Sequence, residues 1–119
     1  DNVAFHRVIP GFMAQGGDPT GTGMHGSDLP DLPAEFTNKA KFERGTIGMA
    51  RTSDPNSANS QFFIMFEPSP HLDGQYTIVG EVIEGMENVD KIKRGSGMSG
   101  VVNDPDRIAK MVPADKAEA

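Results

Sequence analysis

A mainly β domain with a single helix is what this chain predicts, and three observations carry the prediction. Glycine (14) and proline (9) are frequent among 119 residues, and breaks that dense suit short strands and many turns better than a helical bundle. Residues alternate at period two in Phe5 to Ile9 and in Arg107 to Val112, as in half-buried strands. Helical spacing persists in only one segment. The pattern points to a barrel or a sandwich, and the length suffices for one domain and one core.

The elements follow in order. Val3 to Ile9 reads as a strand on the approach Asp1-Asn2, and Pro10-Gly11 bends it. Phe12 to Gln15 continues in extended form. Residues 16 to 33 form a long loop, a length that in a compact domain is usually functional. Ala34 to Thr37 is a candidate short strand. Thr46 to Arg51 is a strand whose Gly48 marks a close approach. Residues 52 to 59 make a polar turn around Pro55, Gln61 to Phe66 is a central strand, and two prolines with Asp73-Gly74 make the next turn. Tyr76 to Val82 is strand-like. Glu84 to Lys93 is the one good helix, with Met86, Val89 and Ile92 facing the core and Gly95 stopping it. Ser96 to Asp104 reads as flexible loop, Arg107 to Val112 as a last strand, and Ala114 to Ala119 as a frayed tail.

Charge and composition exclude several classes. Eleven Lys and Arg against 17 Asp and Glu leave a net charge of −6, so no basic stripe faces phosphates and nucleic acid is not an expected partner. No apolar run approaches membrane-spanning length. Cysteine is absent, which excludes disulfides and thiolate chemistry but leaves the compartment open. The chain opens at Asp1 without a signal-type segment, and the expectation is that it begins inside a domain, with any targeting signal upstream.

Arg7 is the most informative residue. It lies in the apolar run Phe5-His6-Arg7-Val8-Ile9, where period two puts Phe5, Arg7 and Ile9 on one face and His6 and Val8 on the other. A cation facing the way core residues face is costly to desolvate unless something meets it. It is either a structural or snorkelling arginine, or a preorganised donor in an apolar groove. The segment Ser60 to Phe66 supplies such a groove. Half of Phe12, Met13, Phe62, Phe63, Met65 and Phe66 must be core; the other half, with Leu72 and Tyr76, can line a pocket beside Arg7 and Gln61. One cation and one amide without acid, base or nucleophile suit a reaction that needs only binding and redistribution of partial charge.

Other motifs carry less. Gly21-Thr22-Gly23-Met24-His25-Gly26 matches the dinucleotide pattern, but Pro30 and Pro33 follow where a helix is required, so a rim loop is the better reading. His6, His25 and His71 have no zinc-ligand spacing. No strand-turn-helix nucleophile elbow appears.

The run Phe5 to Asp18, with Ser60-Gln61-Phe62-Phe63-Ile64, Gly48-Met49-Ala50, Leu72-Asp73-Gly74 and Gly80 to Met86, resembles the cyclophilins, the peptidyl-prolyl cis–trans isomerases. Met49-Ala50-Arg51-Thr52, Tyr76 and the short loops resemble bacterial members. The resemblance implies an eight-stranded antiparallel β-barrel capped by two helices, of which residues 1–119 form one cyclophilin-like domain. The opening strand pair and first helix are missing, one helix is retained, and the seam is left open.

The resemblance also implies roles. Arg7 falls on the catalytic arginine, and Phe12, Met13, Phe63 and Leu72 on the proline pocket. Gln15, Ala50, Arg51 and Gln61 fall on positions that hold the substrate backbone, and Gly21 and Thr22 on a neighbouring subsite. His71 replaces a tryptophan, which predicts weak cyclosporin binding. Tyr76 replaces a histidine whose hydrogen bond its hydroxyl can make, and Arg51 an asparagine. The implied function is isomerisation of X-Pro bonds in folding proteins, on proline-containing peptides and unfolded chains. No cofactor or metal is expected, and the protein is expected to be a soluble monomer of the bacterial cytoplasm or periplasm. The alternative is a proline-peptide binding or chaperone module with little turnover.

Overall fold

A computed structural model describes residues 2–37, 40–95 and 99–111. The strands are β1 (Arg7–Ile9), β2 (Met13–Gly16), β3 (Thr46–Met49), β4 (Phe62–Met65) and β5 (Ile78–Glu81). A 3-10 turn covers Pro70–Leu72, and one helical turn, α1, covers Met86–Val89. The five strands form one antiparallel sheet in the order β1-β2-β4-β3-β5, and it does not close into a barrel.

The middle strand decides the packing. All four β4 residues are buried. Because side chains alternate, Phe63 and Met65 join Met13, Phe42 and Leu72 on one face. Phe62 and Ile64 join Met49 and Ala58 on the other. Val8, Ala14, Phe66 and Val102 extend that second layer, and Met86, Val89 and Ile92 pack onto it. The sheet is therefore covered on both faces around β4, while β5 is an exposed edge with Val79 at 56% and Ile83, just past its end, at 81% accessibility.

Several expected elements change. The first strand is shorter than Val3 to Ile9; before Arg7 the chain makes only a bridge, Ala4 to Arg107. Alternation breaks there. Ile9 packs with the Phe63 layer, but Phe5 packs with Val8 in the opposite layer and lies edge-on to Phe62. Part of the expected loop at 96–104 is ordered pairing: the Val8 N–H donates to Gly100 O at 2.8 Å and the Val102 N–H to His6 O at 3.1 Å. Ala34 to Thr37 forms no strand; the local bridge is Leu32 to Ala58. The helix is one turn instead of Glu84 to Lys93. Gly85 precedes it in the left-handed region, and the N–H groups of Lys91 and Ile92 donate three residues back, the tighter geometry of a closing turn. The expected last strand is reduced to the Arg107 bridge, and Asp1, residues 96–98, Val112 and the tail lie outside the described residues.

Gly48 behaves as its position in a strand predicts. A β-carbon there would stand 2.6 Å from Phe42 Cε1 and 2.7 Å from Phe63 Cζ, two rings stacked at 5.6 Å. Gly48→Ala is therefore expected to lower unfolding free energy by about 1–3 kcal/mol, as overpacking does, measured as a drop in the denaturation midpoint. An unchanged midpoint would show that the rings give way freely.

Candidate functional site

Strand register assembles the site in one row. Arg7 pairs with Gln15 across β1 and β2, Gln15 with Phe63 across β2 and β4, and Phe63 with Gly48 across β4 and β3. Residues directly opposite share a face, so a cation, an amide and an aromatic ring stand side by side, and the row ends in the bare Gly48.

A cavity of about 310 Å³ lies over this row. Phe12, Met13, Phe63 and Leu72 give it an apolar lining, with Arg7 and Gln15 as polar groups and Ala50, Arg51 and Tyr76 completing the wall. The Tyr76 ring meets Phe63 edge-on at 5.8 Å, and its hydroxyl makes no hydrogen bond among the described residues. His71 also lines the cavity, its ring 6.0 Å from Phe12. A second cavity of about 230 Å³ shares Gln15, Ala50 and Arg51 with the first and adds Gln61, Asn59 and the chain from Gly23 to Gly26. Gly21 and Thr22 line neither cavity; the Thr22 hydroxyl turns away to Asp18 Oδ2 at 3.2 Å.

Hydrogen bonds link the row to the loop. Arg7 donates from Nη1 to Gln15 Oε1 at 3.2 Å and from Nε to Ser99 O at 2.8 Å. Gln15 Nε2 donates to Gln61 Oε1 at 2.8 Å. Gln61 Nε2 donates to His25 O at 2.8 Å and Gly23 O at 3.1 Å. The loop that offers those carbonyls is tied to Asp18, whose side chain is fully buried. Its carboxylate accepts from the N–H groups of Thr20 (2.8 Å), Gly23 (2.7 Å) and His25 (3.1 Å), and from the Thr20 hydroxyl (2.8 Å). Burial alone would raise this carboxyl, but the bonds from Thr20, His25 and Gly23 outweigh it and hold it well below the usual range.

His6 lies under the same loop. It is buried, and neither ring nitrogen finds a hydrogen-bond partner among the described residues. Burial lowers its pKa, opposed by Asp18 and assisted by Arg7. Gly23, at φ +84°, would bring a β-carbon to 3.0 Å from His6 Cδ2, so the loop can sit this close only with glycine there.

Asp18 and Asn59 order the loop beside the site, and the sequence alone gives neither a functional role. Asn59 Oδ1 accepts from Ser27 N and Oγ at 2.8 and 2.7 Å, and its Nδ2 donates to Leu29 O at 2.9 Å. The signal for Asp18 was present in Asp18-Pro19-Thr20-Gly21, an Asx-turn sequence. Nothing local announces Asn59, whose partners lie about thirty residues away. No group of His, Asp or Glu is placed to hold a metal ion among the described residues.

Comparisons with known proteins agree with this geometry. The model of the cyclophilin-type peptidyl-prolyl cis-trans isomerases matches residues 1–112. A probable peptidyl-prolyl cis-trans isomerase of Brucella abortus is 58% identical over 92% of this chain and 62% of its own length. A rat peptidyl-prolyl cis-trans isomerase-like 3 is 45% identical over 79% of this chain and 60% of its own. The chain thus spans about three fifths of these relatives. A Cryptosporidium parvum cyclophilin-type isomerase, solved in the presence of the dipeptide Ala-Pro, superposes with a TM-score of 0.82 at 37% identity, over 91% of this chain and 72% of that one. A Hirschia baltica cyclophilin gives 0.83 at 25% identity, over 99% and 61%.

Two buried groups predict how this region responds to acid. A histidine with a lowered folded pKa stays neutral while the unfolded chain takes up a proton, so stability falls as pH drops below about 6.5. His6→Gln is expected to remove that part of the slope in denaturant titrations across pH. Asp18 has the opposite charge but the same direction: its stabilisation is complete above the ordinary aspartate value of about 3.9 and is lost as pH falls through the depressed folded value. Asp18→Ala is expected to cost about 1–3 kcal/mol at neutral pH through unmet loop N–H groups, and less in acid.

Proposed function

The chain belongs to the cyclophilin-type peptidyl-prolyl cis–trans isomerase family, and from that premise we propose that it accelerates rotation about X-Pro peptide bonds in proline-containing chains. The observation that carries the reading is Arg7 at the edge of an apolar cavity, held among the described residues by neutral acceptors. Two of the five guanidinium N–H groups are taken up by Ser99 O and Gln15 Oε1. Among the described residues nothing takes up the others, which leaves them for a substrate. The cavity suits a proline ring, with Phe12, Met13, Phe63 and Leu72 as its lining.

The chemistry follows from the amide. Resonance opposes rotation by roughly 18–20 kcal/mol. As the bond twists, the prolyl nitrogen regains its lone pair and becomes an acceptor. Arg7, permanently protonated, donates to it or to the adjacent carbonyl. That bond strengthens only as resonance is lost, so it lowers the barrier and not merely the energy of the bound ground state. Gln15, Gln61 and the neighbouring backbone hold the flanking chain. Every bond of the substrate persists, and no proton changes hands.

Arg7→Ala tests this. Loss of a preorganised donor should lower kcat about 100- to 1000-fold on a short proline peptide, while peptide affinity measured by titration falls far less. Equal loss of both would favour a binding module with little turnover. The wild-type rate should be level across neutral pH, and a steep bell centred there would contradict a scheme without proton transfer.

A further inference from the structure

Arg51 is the second cation of the groove, and its surroundings differ from those of Arg7. Its guanidinium carbon lies 4.6 Å from the Tyr76 ring centroid and 6.0 Å from that of Phe36. Nε and Nη2 donate to Gln75 O at 3.2 and 2.8 Å, and Nη1 to Thr52 O at 2.8 Å. These acceptors are neutral carbonyls, and no carboxylate stands within ion-pair distance of it among the described residues; the one such pair there is Arg44 with Asp90. The side chain is thus braced in place with its charge unspent. One N–H on each terminal nitrogen is left over.

Its position gives that charge a use. Arg51 lines both cavities, where a ring in the first and a side chain in the second would meet across Ala50 and Gln15. Neither lining contains an aspartate or glutamate, although the chain carries 17 of them and a net charge of −6. The groove therefore opposes the sign of the rest of the molecule. We infer that Arg51 selects proline peptides carrying a carboxylate side chain within two residues of the proline. This rests on the proposed groove function and names the substrate class within it. An ordinary surface pair is weak partly because two mobile side chains must be ordered. Here the guanidinium is ordered beforehand by its stack and its carbonyls, and a fork of charged donors suits a carboxylate.

The test is a set of short peptides, identical except for Glu, Gln or Lys at each flanking position, assayed for kcat/KM and separately titrated for affinity. Glu is expected to exceed Gln by about two- to fivefold at low salt, with Lys below both. The Glu-to-Gln ratio should approach one in about 1 M salt, where the screening length is ~3 Å. It should also approach one in Arg51→Gln and persist in part in Arg51→Lys; being a ratio, it is independent of any general loss in the variant. Turnover of every peptide with a ratio of one in the wild type, or a ratio unchanged in Arg51→Gln, overturns the inference and leaves the isomerase reading standing. Binding that prefers Glu through Arg51 without any turnover upholds the selectivity and sinks the isomerase. Failure of every peptide to bind overturns both.

Discussion

A guanidinium held at an apolar cavity by neutral acceptors, with no carboxylate beside it among the described residues, sets the terms for everything around it. A carboxylate beside Arg7 would satisfy the charge and leave little for anything else. Ser99 O and the Gln15 amide oxygen steady the side chain without neutralising it. The choice propagates, because an amide has two unlike ends. With its oxygen toward Arg7, Gln15 must present its NH₂ to the Gln61 oxygen. The Gln61 NH₂ then needs carbonyls, and the loop supplies them at Gly23 and His25. The N–H groups of those same two residues point to Asp18. The negative charge that a nearer ion pair would have supplied is thus moved to the far side of a loop. His6 feels both charges, with opposite effect on its pKa, and burial lowers it.

The sheet makes this arrangement possible by keeping its faces distinct. Phe63 belongs to the cavity because its neighbours Phe62 and Ile64 fill the opposite layer. A slip of one residue in the β2–β4 register would exchange the layers and put Gln15 beside a different ring. The one irregularity among the strand pairings lies between β3 and β5, where the register shifts between Ile47 and Gly48. It touches the row only at its last member, Gly48, away from Arg7, Gln15 and Phe63, and its extra residue, Val79, is exposed. Distortion is confined to the edge, where extra twist is tolerated.

Short apolar runs between turn signals make β2, β3 and β4 legible in the sequence, and the mixed arginine–aromatic chemistry makes Arg7, Phe63 and Gln61 stand out. What escaped has physical causes. Periodicity cannot say which half of a fully apolar strand lines a pocket; that is settled by register against Gln15. The Met86, Val89, Ile92 stripe announced a helical face, but not that the helix would end after one turn, since a stripe at spacing three also fits tighter turns. Alternation extends to Phe5 a strand that begins only at Arg7. Residues 16 to 33 read as a loop from their glycines and prolines. Their order depends on Asp18 and Asn59, and the Asn59 contacts have no local signature.

The two arginines also differ in what their charge can do. If Arg7 meets the prolyl nitrogen as proposed, its donors act on an acceptor that exists only while the bond is twisted, and the gain falls on the rate step. Attraction between Arg51 and a flanking carboxylate is present before, during and after rotation, because that carboxylate does not change. It strengthens ground state and transition state alike and belongs to substrate capture. A groove needs the two functions on separate side chains. A cation already paired with a substrate carboxylate would have fewer donors for the twisting nitrogen, and one whose donors are aimed at the nitrogen has fewer to offer a flanking carboxylate. The relay through Gln15 and Gln61 serves the first requirement, which is directional. The stack on Tyr76 and the Gln75 and Thr52 carbonyls serve the second, which asks only that a charge be kept in place.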